Sequence, residues 1–556
     1  MKLKGADILI NCLLEQGVDT IFGYPGGAVL DIYDALYRSG KINHVLTAHE
    51  QGAAHAADGY ARVTGKTGVC FATSGPGATN LVTGIATAYM DSIPIVAVTG
   101  NVGINFLGRD SFQEVDTTGI TIPITKHNFI IKDVKDLAPA IRRAFHIANT
   151  GRKGPVLIDI LKNVQTDMCE YTPVTPVYPE PNPVTEAQVS RAVNAINESK
   201  RPIIMAGGGC VSSGASKRVL ELARKINAPV SYTLMAKGVV PDEDPLCLGL
   251  IGMHGTVASA HALMDADLII ALGSRFSDRV ALNRDKFAEG KTVIHVDIDN
   301  AELDKNVTSD IHVMADINET LKTLIPLVEA NDRKAWIKKV AGYVETSGTL
   351  MDYSIRACRI LQAAKRIAPE DANLIADVGQ HQMWAAQFYP LEEPRKFCTS
   401  GGLGTMGYSM GAGIGAAFGS GKMSVVVIGD GCFGMNMNEL MTAATQGVPM
   451  VVLLMDNGVL GMVRQWQKIF YENRFSQTTI TREKADYVAI AEGMGAKGMK
   501  LGLNDDIDAV LKEAFAYAQD SCTPVLVDCE ISPDDNVLPM IKPGMTYDTQ
   551  ITSMDN

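Results

Sequence analysis

VVVIGDGCFGMNMNELMTAATQGVPMVVLLMDNGVLGMVRQW, residues 425–466, decides the fold class of this 556-residue chain. Val425 to Ile428 is an unbroken apolar run that stops at Gly429-Asp430-Gly431, where a helical stretch begins, and a second apolar run stops at Asp456-Asn457. Short, wholly apolar runs joined through a helix read as strands of a parallel sheet buried on both faces. Parallel strands end on one shared edge, so Asp430 and Asn457, 27 residues apart (457 − 430), bring a carboxylate and an amide oxygen to the same place. Such a pair suits a hard cation that takes about six oxygens. The glycines allow backbone to approach a phosphate.

The same order recurs near the amino terminus. Val69 to Phe71 leads into Gly75-Pro76-Gly77, a helix through Ala88, then Ile93-Pro94 and the strand Ile95 to Val98. Glycine to proline spans 19 residues there (94 − 75) and 20 in the later segment (449 − 429). Two related α/β domains follow, each with a doubly wound parallel sheet. Between them lies a third, Rossmann-like unit, with strands Pro202 to Met205, Asp267 to Leu272 and Thr292 to Ile298. Its glycines, GGGCVSSG, lack the spacing of a dinucleotide fingerprint and by themselves read as turns. Residues 171–185, YTPVTPVYPEPNPVT, carry five prolines and form an extended connection, and a softer boundary falls near Thr346-Ser347-Gly348. The expected domains are residues 1–175, 185–345 and 350–556.

A chain 46% hydrophobic and 20% charged is an ordinary globular protein. Its net charge of −12, without a Lys/Arg-rich run, argues against nucleic acid as a partner. The ten cysteines form no CxxC pair and read as scattered reduced thiols of a cytoplasmic protein. The amino-terminal apolar stretch is broken by Asp7, Asn11 and Glu15, which makes it an amphipathic helix and not a signal peptide, and no run is long enough to span a membrane.

Read together, Gly429-Asp430-Gly431 and Asp456-Asn457 resemble the thiamine diphosphate enzyme superfamily. The resemblance implies that Asp430, Asn457 and the Val459 carbonyl hold Mg2+ on the cofactor's diphosphate. Gly379, Gln380 and His381 match a second diphosphate contact, and Gly404, Gly429, Gly431, Gly461 and Met462 complete the cofactor cradle. Glu50, in TAHEQGAAHAADGYARVTG, matches the acid that hydrogen-bonds the aminopyrimidine ring and drives it toward its imino form, and Met406, in GGLGTMGYSMGAGIGA, the side chain that keeps the two rings folded together.

Over essentially its whole length the chain is similar to catalytic subunits of the biosynthetic acetohydroxyacid synthase, or acetolactate synthase, family. The shared segments are FGYPGGAVLDIYDAL, SGPGATNLVTGIATAYMDSIP, Phe112-Gln113-Glu114, GMHGT, SRFSDR, HVDIDNAEL and GMVRQWQ. The resemblance implies a reaction that decarboxylates pyruvate and joins its two-carbon unit to pyruvate or 2-ketobutyrate, the first common step toward valine, leucine and isoleucine. Gly27 and Ala28 would border the reacting centre, while Phe112, Gln113 and Lys162 would line the substrate site. Arg275 would receive the second substrate's carboxylate, a task to which a planar guanidinium is suited. Trp466 would favour 2-ketobutyrate, one extra methyl being worth about 1–3 kcal/mol. Met253, His254, Gly255, Thr256, Arg275, Arg279, Asp297 and Asp316 fall where the family contacts FAD, a bystander to the net chemistry. A homodimer or homotetramer with sites at the dimer interface is implied, with a small regulatory subunit as partner. Asn163, Ser277, Cys432, Gly434 and Asp456 depart from the common family pattern, and none of them removes a catalytic group. The rival readings are a flavin-dependent pyruvate oxidase and a non-catalytic binding subunit on the same scaffold, set apart by oxygen uptake and by loss of cofactor binding.

Overall fold

The computed structural model describes residues 1–178, 180–480 and 485–554. Its frame is three parallel six-stranded sheets flanked by helices, the α/β class expected. A small antiparallel pair, β1 (Lys2–Lys4) and β8 (Met168–Glu170), ties the start of the first domain to its end. The first sheet contains β2 (Thr20–Gly23), β3 (Asn43–Leu46), β4 (Gly68–Ala72), β5 (Ile95–Asn101), β6 (His127–Ile131) and β7 (Val156–Leu161). The middle sheet contains β9 (Pro202–Ala206), β10 (Val230–Tyr232), β11 (Cys247–Leu250), β12 (Leu268–Leu272), β13 (Thr292–Asp297) and β14 (Ile311–Met314). The third contains β15 (Asn373–Ala376), β16 (Phe397–Cys398), β17 (Ser424–Gly429), β18 (Met450–Asp456), β19 (Lys497–Leu501) and β20 (Val525–Glu530). Every residue of β4, β5, β7 and β17 is buried, which is why these strands read as continuous apolar runs.

Strand order makes the kinship of the outer domains explicit. The first sheet runs β3-β2-β4-β5-β7-β6 and the third β16-β15-β17-β18-β20-β19, both 2-1-3-4-6-5 when each sheet is numbered along the chain. The middle sheet runs β11-β10-β9-β12-β13-β14, which is 3-2-1-4-5-6, the Rossmann order. Each sheet therefore has a point where connections depart in opposite directions and leave a crevice at the strand ends: β2/β4, β9/β12 and β15/β17.

The outer domains dock through two helices of small residues, α1 (Glu50–Thr64) and α2 (Ser409–Ser420). Gly52, Ala56 and Tyr60 meet Gly411, Gly415 and Gly419 in that order, so the helices run parallel and both begin at the same end. Their backbones nearly touch: a Cβ at Gly415 would lie 1.8 Å from the Ala56 carbonyl oxygen, and one at Gly59 2.2 Å from that of Ala412.

Two features shift the expected boundaries. The helix α3 (Lys334–Leu350) runs straight through Thr346-Ser347-Gly348 and stays with the middle domain, where the buried Trp336 donates from Nε1 to the Pro202 carbonyl at 3.0 Å. The chain passes to the third domain only at 351–355, before a helix at Arg356–Ile367. The carboxyl-terminal tail then returns to the middle domain, with Ile541 N–H on the Met253 carbonyl (2.8 Å) and the Tyr547 hydroxyl on that of Val280 (2.6 Å). Residues 171–185 hold no helix or strand among those described, and the Tyr178 hydroxyl donates to Gln16, which caps the end of the first helix. That helix, Gly5–Glu15, is amphipathic but follows a short strand. All ten cysteines are free thiols. Among the described residues no helix is long and apolar enough to cross a membrane.

Candidate active site

The third-domain crevice gathers most of the residues singled out in the carboxyl-terminal half. Asp430 leaves β17 at the first turn of a helix, where its carboxylate accepts Gly431 N–H (2.8 Å) and Gly458 N–H (2.9 Å). The second bond ties the end of β17 to the loop after β18, where Asn457 Oδ1 accepts Val459 N–H at 3.2 Å. Burial, and then the Asp456 charge, push the Asp430 carboxyl up to about 7. A buried acid beside a second acid is relieved by a cation, so the donor set of Asp430 with Asn457 suits a divalent metal. Met406 reaches the same place: a Cβ on Gly431 would lie 3.5 Å from its Cε.

Across the crevice, the His381 ring is wedged between two glycines, since a Cβ at Gly379 or Gly429 would come within 2.8 or 3.0 Å of its Cε1. Gly379, at φ +153°, adopts a conformation that side chains disfavour. Full burial lowers the His381 pKa to about 4, leaving a neutral imidazole. Gln380 donates to Gln465 Oε1 (3.0 Å) and the Asp535 carbonyl (2.8 Å), while its own buried Oε1 has no partner and abuts Gly461. Asp377, His381 and Cys432 lie close enough to resemble a soft-metal site. The Asp377 oxygens are already committed to Val378, Gly407 and Ser409 N–H groups, so this carboxylate serves the backbone.

A cavity of about 1780 Å³ runs from this crevice into the middle domain. That exceeds the roughly 300–1,000 Å³ of an ordinary small-molecule pocket and leaves room for an elongated dinucleotide. It opens on the β9/β12 switch point, where the backbones after the two strands converge: a Cβ at Gly207 would lie 2.1 Å from the Gly273 carbonyl oxygen. Met253, His254, Arg275, Arg279, Asp297 and Asp316 line it from the middle domain, with Gly379, Gly404, Met406, Met462 and Trp466 from the third. The Nδ1 of His254 and the Nε1 of Trp466 are buried without partners, so each can serve a ligand. Burial raises the Asp297 carboxyl to about 6. Arg279 lies over the Trp466 ring, 5.6 Å from its centroid, and Arg275 is largely buried, with its pKa lowered by desolvation and by Arg152. Gly255 and Thr256 do not line the cavity. Thr256 caps the helix Val257–Asp265 by accepting Ser259 N–H (3.1 Å), and Gly255 packs 2.8 Å from the Leu250 carbonyl oxygen, measured to a Cβ placed there.

The first-domain residues form a second group around β2/β4. Glu50 opens α1, and its Oε2 accepts the Asn80 amide at 2.9 Å. The turn before it is held by Glu439 of the third domain, which accepts Ala48 and His49 N–H (3.2 and 3.0 Å). Lys162 donates to the Gly27 carbonyl (3.1 Å) and pairs with Asp31 (2.7 Å), and Gln165 holds the Ala28 carbonyl (2.7 Å). Gln113, at φ +59°, packs on Gly75, while Phe112 is 88% exposed. None of Glu50, Gly27, Phe112, Gln113 and Lys162 lines the cavity shared by Arg275, Met406 and Trp466. No local pattern marks Asn80, Glu439 or the bonds of Asp377 to Gly407 and Ser409, because each joins residues 30 or more positions apart.

Three family patterns match in order: "Thiamine pyrophosphate enzyme, N-terminal TPP binding domain" over residues 3–120, "Thiamine pyrophosphate enzyme, central domain" over 189–324, and "Thiamine pyrophosphate enzyme, C-terminal TPP binding domain" over 377–529. The chain is 45% identical to an acetolactate synthase of Mycobacterium bovis, covering 98% of this chain and 91% of that protein. It is 44% identical to a probable acetolactate synthase large subunit of Methanocaldococcus jannaschii (98% and 94% covered). To the acetolactate synthase large subunit of Haemophilus influenzae it is 39% identical (99% and 98% covered). With all three domains matched in order and relatives aligned almost end to end, the chain belongs to the acetolactate synthase large-subunit family of thiamine pyrophosphate enzymes.

Proposed function

We propose that the protein is an acetolactate synthase catalytic subunit, which decarboxylates pyruvate and joins the two-carbon unit to a second 2-keto acid in branched-chain amino-acid synthesis. The observation that carries this reading is the crevice where Asp430, Asn457, Met406 and the glycine-flanked His381 meet at one sheet edge. There Asp430, Asn457 and the Val459 carbonyl would hold Mg2+ on a diphosphate, Gly379 and Gly429 leave space for it, and neutral His381 offers a ring N–H. Bound thiamine diphosphate supplies the nucleophilic carbon and the electron sink. Glu50, its carboxylate aimed by Asn80, would hydrogen-bond the pyrimidine ring and hold the proton shared with it. Arg275 receives the acceptor's carboxylate and Trp466 presents an apolar face to the extra methyl of 2-ketobutyrate.

Glu50 stands apart from the cavity that Arg275, Met406 and Trp466 line, and Phe112 is left bare on one chain. Both facts favour a homodimer, or a homotetramer built from it, in which the first domain of one copy faces the third domain of another. FAD would lie in the large cavity, with His254, Asp297, Asp316 and Arg279 along it. A small regulatory subunit and a cytoplasmic location complete the proposal.

The test is acetolactate formation from pyruvate, with 2-ketobutyrate competing, in the presence of Mg2+, thiamine diphosphate and FAD. The expected result is carboligation that disappears in Glu50→Gln. Pyruvate consumption with oxygen uptake and no acetolactate would overturn it in favour of an oxidase.

A further inference from the structure

The segment Gly401–Tyr408, which carries Gly404 and Met406, is held by a buried charge cluster from the other domain. Asp91, at the carboxyl end of a first-domain helix, accepts Gly401 N–H on Oδ2 (3.0 Å) and Gly402 N–H on Oδ1 (2.7 Å). Both positions exclude a side chain, since a Cβ at Gly402 would lie 2.9 Å from that oxygen and one at Gly401 2.3 Å from Met235 Sδ. Arg62 bonds Asp91 at 2.8 Å and Asp58 at 2.6 Å. The two carboxylate side chains are 0% exposed and the guanidinium 5%. Asp58 in turn accepts the Tyr408 hydroxyl at 2.6 Å. One guanidinium thus sits between two carboxylates, one gripping the start of the segment and the other its end. A hydroxyl pair, Thr87 with Thr405 at 2.8 Å, adds a third tie between them.

We infer that Asp91, with Arg62 and Asp58, is a positioning element for the reaction: a clamp from the first domain that sets where Met406 stands above the metal-binding edge of the third. The inference rests on the reading of Gly404 and Met406 as cofactor borders. Buried charge-assisted hydrogen bonds are stiff and costly to break, so the clamp fixes a glycine-rich segment that has little rigidity of its own. It also couples cofactor binding to the seating of the two domains.

The variants Asp91→Asn, which keeps the side-chain shape, and the milder Thr87→Val test this. Asp242→Asn serves as control, because Asp242, paired within the middle domain to the buried Lys237 (2.7 Å), also makes an inter-domain bond by accepting Leu391 N–H (2.8 Å). Amide hydrogen exchange of residues 399–408 is followed in the cofactor-free protein, and thiamine diphosphate affinity with Mg2+ is read by calorimetry. Asp91→Asn is expected to speed exchange in that segment and weaken cofactor binding about tenfold or more, as loss of hydrogen bonds to a buried charge predicts. It should lower kcat and leave the KM for pyruvate little changed, with Thr87→Val shifting in the same direction by less. Asp242→Asn should lower the melting temperature alone. Wild-type exchange and affinity in Asp91→Asn, or equal changes in Asp242→Asn, would overturn the clamp. Met406→Ala separates the premises: if it leaves affinity and turnover unchanged, the cofactor reading of Met406 falls, and with it the clamp's catalytic role, whatever the exchange result.

Discussion

Replacing Gly415 by alanine puts the most direct strain on the joint that sets the site. The added Cβ would lie 1.8 Å from the Ala56 carbonyl oxygen, and ordinary contact begins at 3.4 Å, so α1 and α2 must part locally by about 1.6 Å (3.4 − 1.8). The atom met is backbone in the middle of a helix, so no rotamer change relieves it. Overpacking of this kind costs roughly 1–3 kcal/mol. The functional effect should be larger than the loss of stability. Each half of the site hangs from this joint, Glu50 as the first residue of α1 and Met406 three positions before α2. Parting the helices therefore displaces both relative to the copy they face, and a misplacement of about 1 Å can cost on the order of 100-fold in rate. The assay is a thermal melt paired with kcat for acetolactate formation at saturating Mg2+ and thiamine diphosphate. Gly342→Ala is the control: it sits on the solvent-facing side of α3 with nothing within 4 Å of the new Cβ, and should stabilise by about 0.5–1 kcal/mol with kcat unchanged. A Gly415→Ala protein that melts like wild type would refute the packing argument. One that melts lower but turns over normally would refute the link from helix spacing to catalysis.

Three other outcomes are expected. Trp466→Leu should shift the product ratio in mixed-substrate assays from acetohydroxybutyrate toward acetolactate, by about 10- to 200-fold in relative kcat/KM, the range one methyl contact commands; an unchanged ratio would remove Trp466 from the acceptor pocket. Asp430→Asn should raise the Mg2+ concentration needed for half-maximal cofactor binding at least tenfold by calorimetry, because a neutral amide replaces the charged ligand, and an unaltered Mg2+ dependence would place the metal elsewhere. His55 is fully buried against Tyr408, and burial lowers its pKa from 6.5 to about 4. The folded state then refuses a proton that the unfolded chain accepts, so stability is complete above pH 6.5 and drains away as pH falls toward 4, by at most about 3 kcal/mol from this group. Urea unfolding at several pH values should show a flatter acid limb in His55→Gln, and parallel wild-type and variant curves would show that His55 does not contribute.

The sequence by itself determined what is written in short range. Apolar runs ending in Gly429-Asp430-Gly431 and Asp456-Asn457 placed two strand ends on one edge, because a buried parallel strand must be apolar throughout and must stop where polar groups begin. Matching glycine-to-proline spacings made the outer domains kin, and their identical strand order bears this out. Local pattern failed where local chemistry was ambiguous. The small, polar residues Thr346-Ser347-Gly348 resemble a linker, yet they continue α3, whose partner on the middle domain lies some eighty positions upstream.

Tertiary structure alone decided the rest. It paired Glu50 with Asn80, tucked the carboxyl-terminal tail against Met253, merged two crevices into one cavity, and hung the Met406 segment from Asp91 and Asp58. It also set Glu50, Gln113 and Lys162 apart from the cavity that Arg275 and Trp466 line. The physical reason is common to all of these. Helix and strand periodicity reports which face of an element is buried, whereas hydrogen bonds and ion pairs between residues tens to hundreds of positions apart depend on how whole sheets and helices are seated, and that leaves no periodic trace in the sequence.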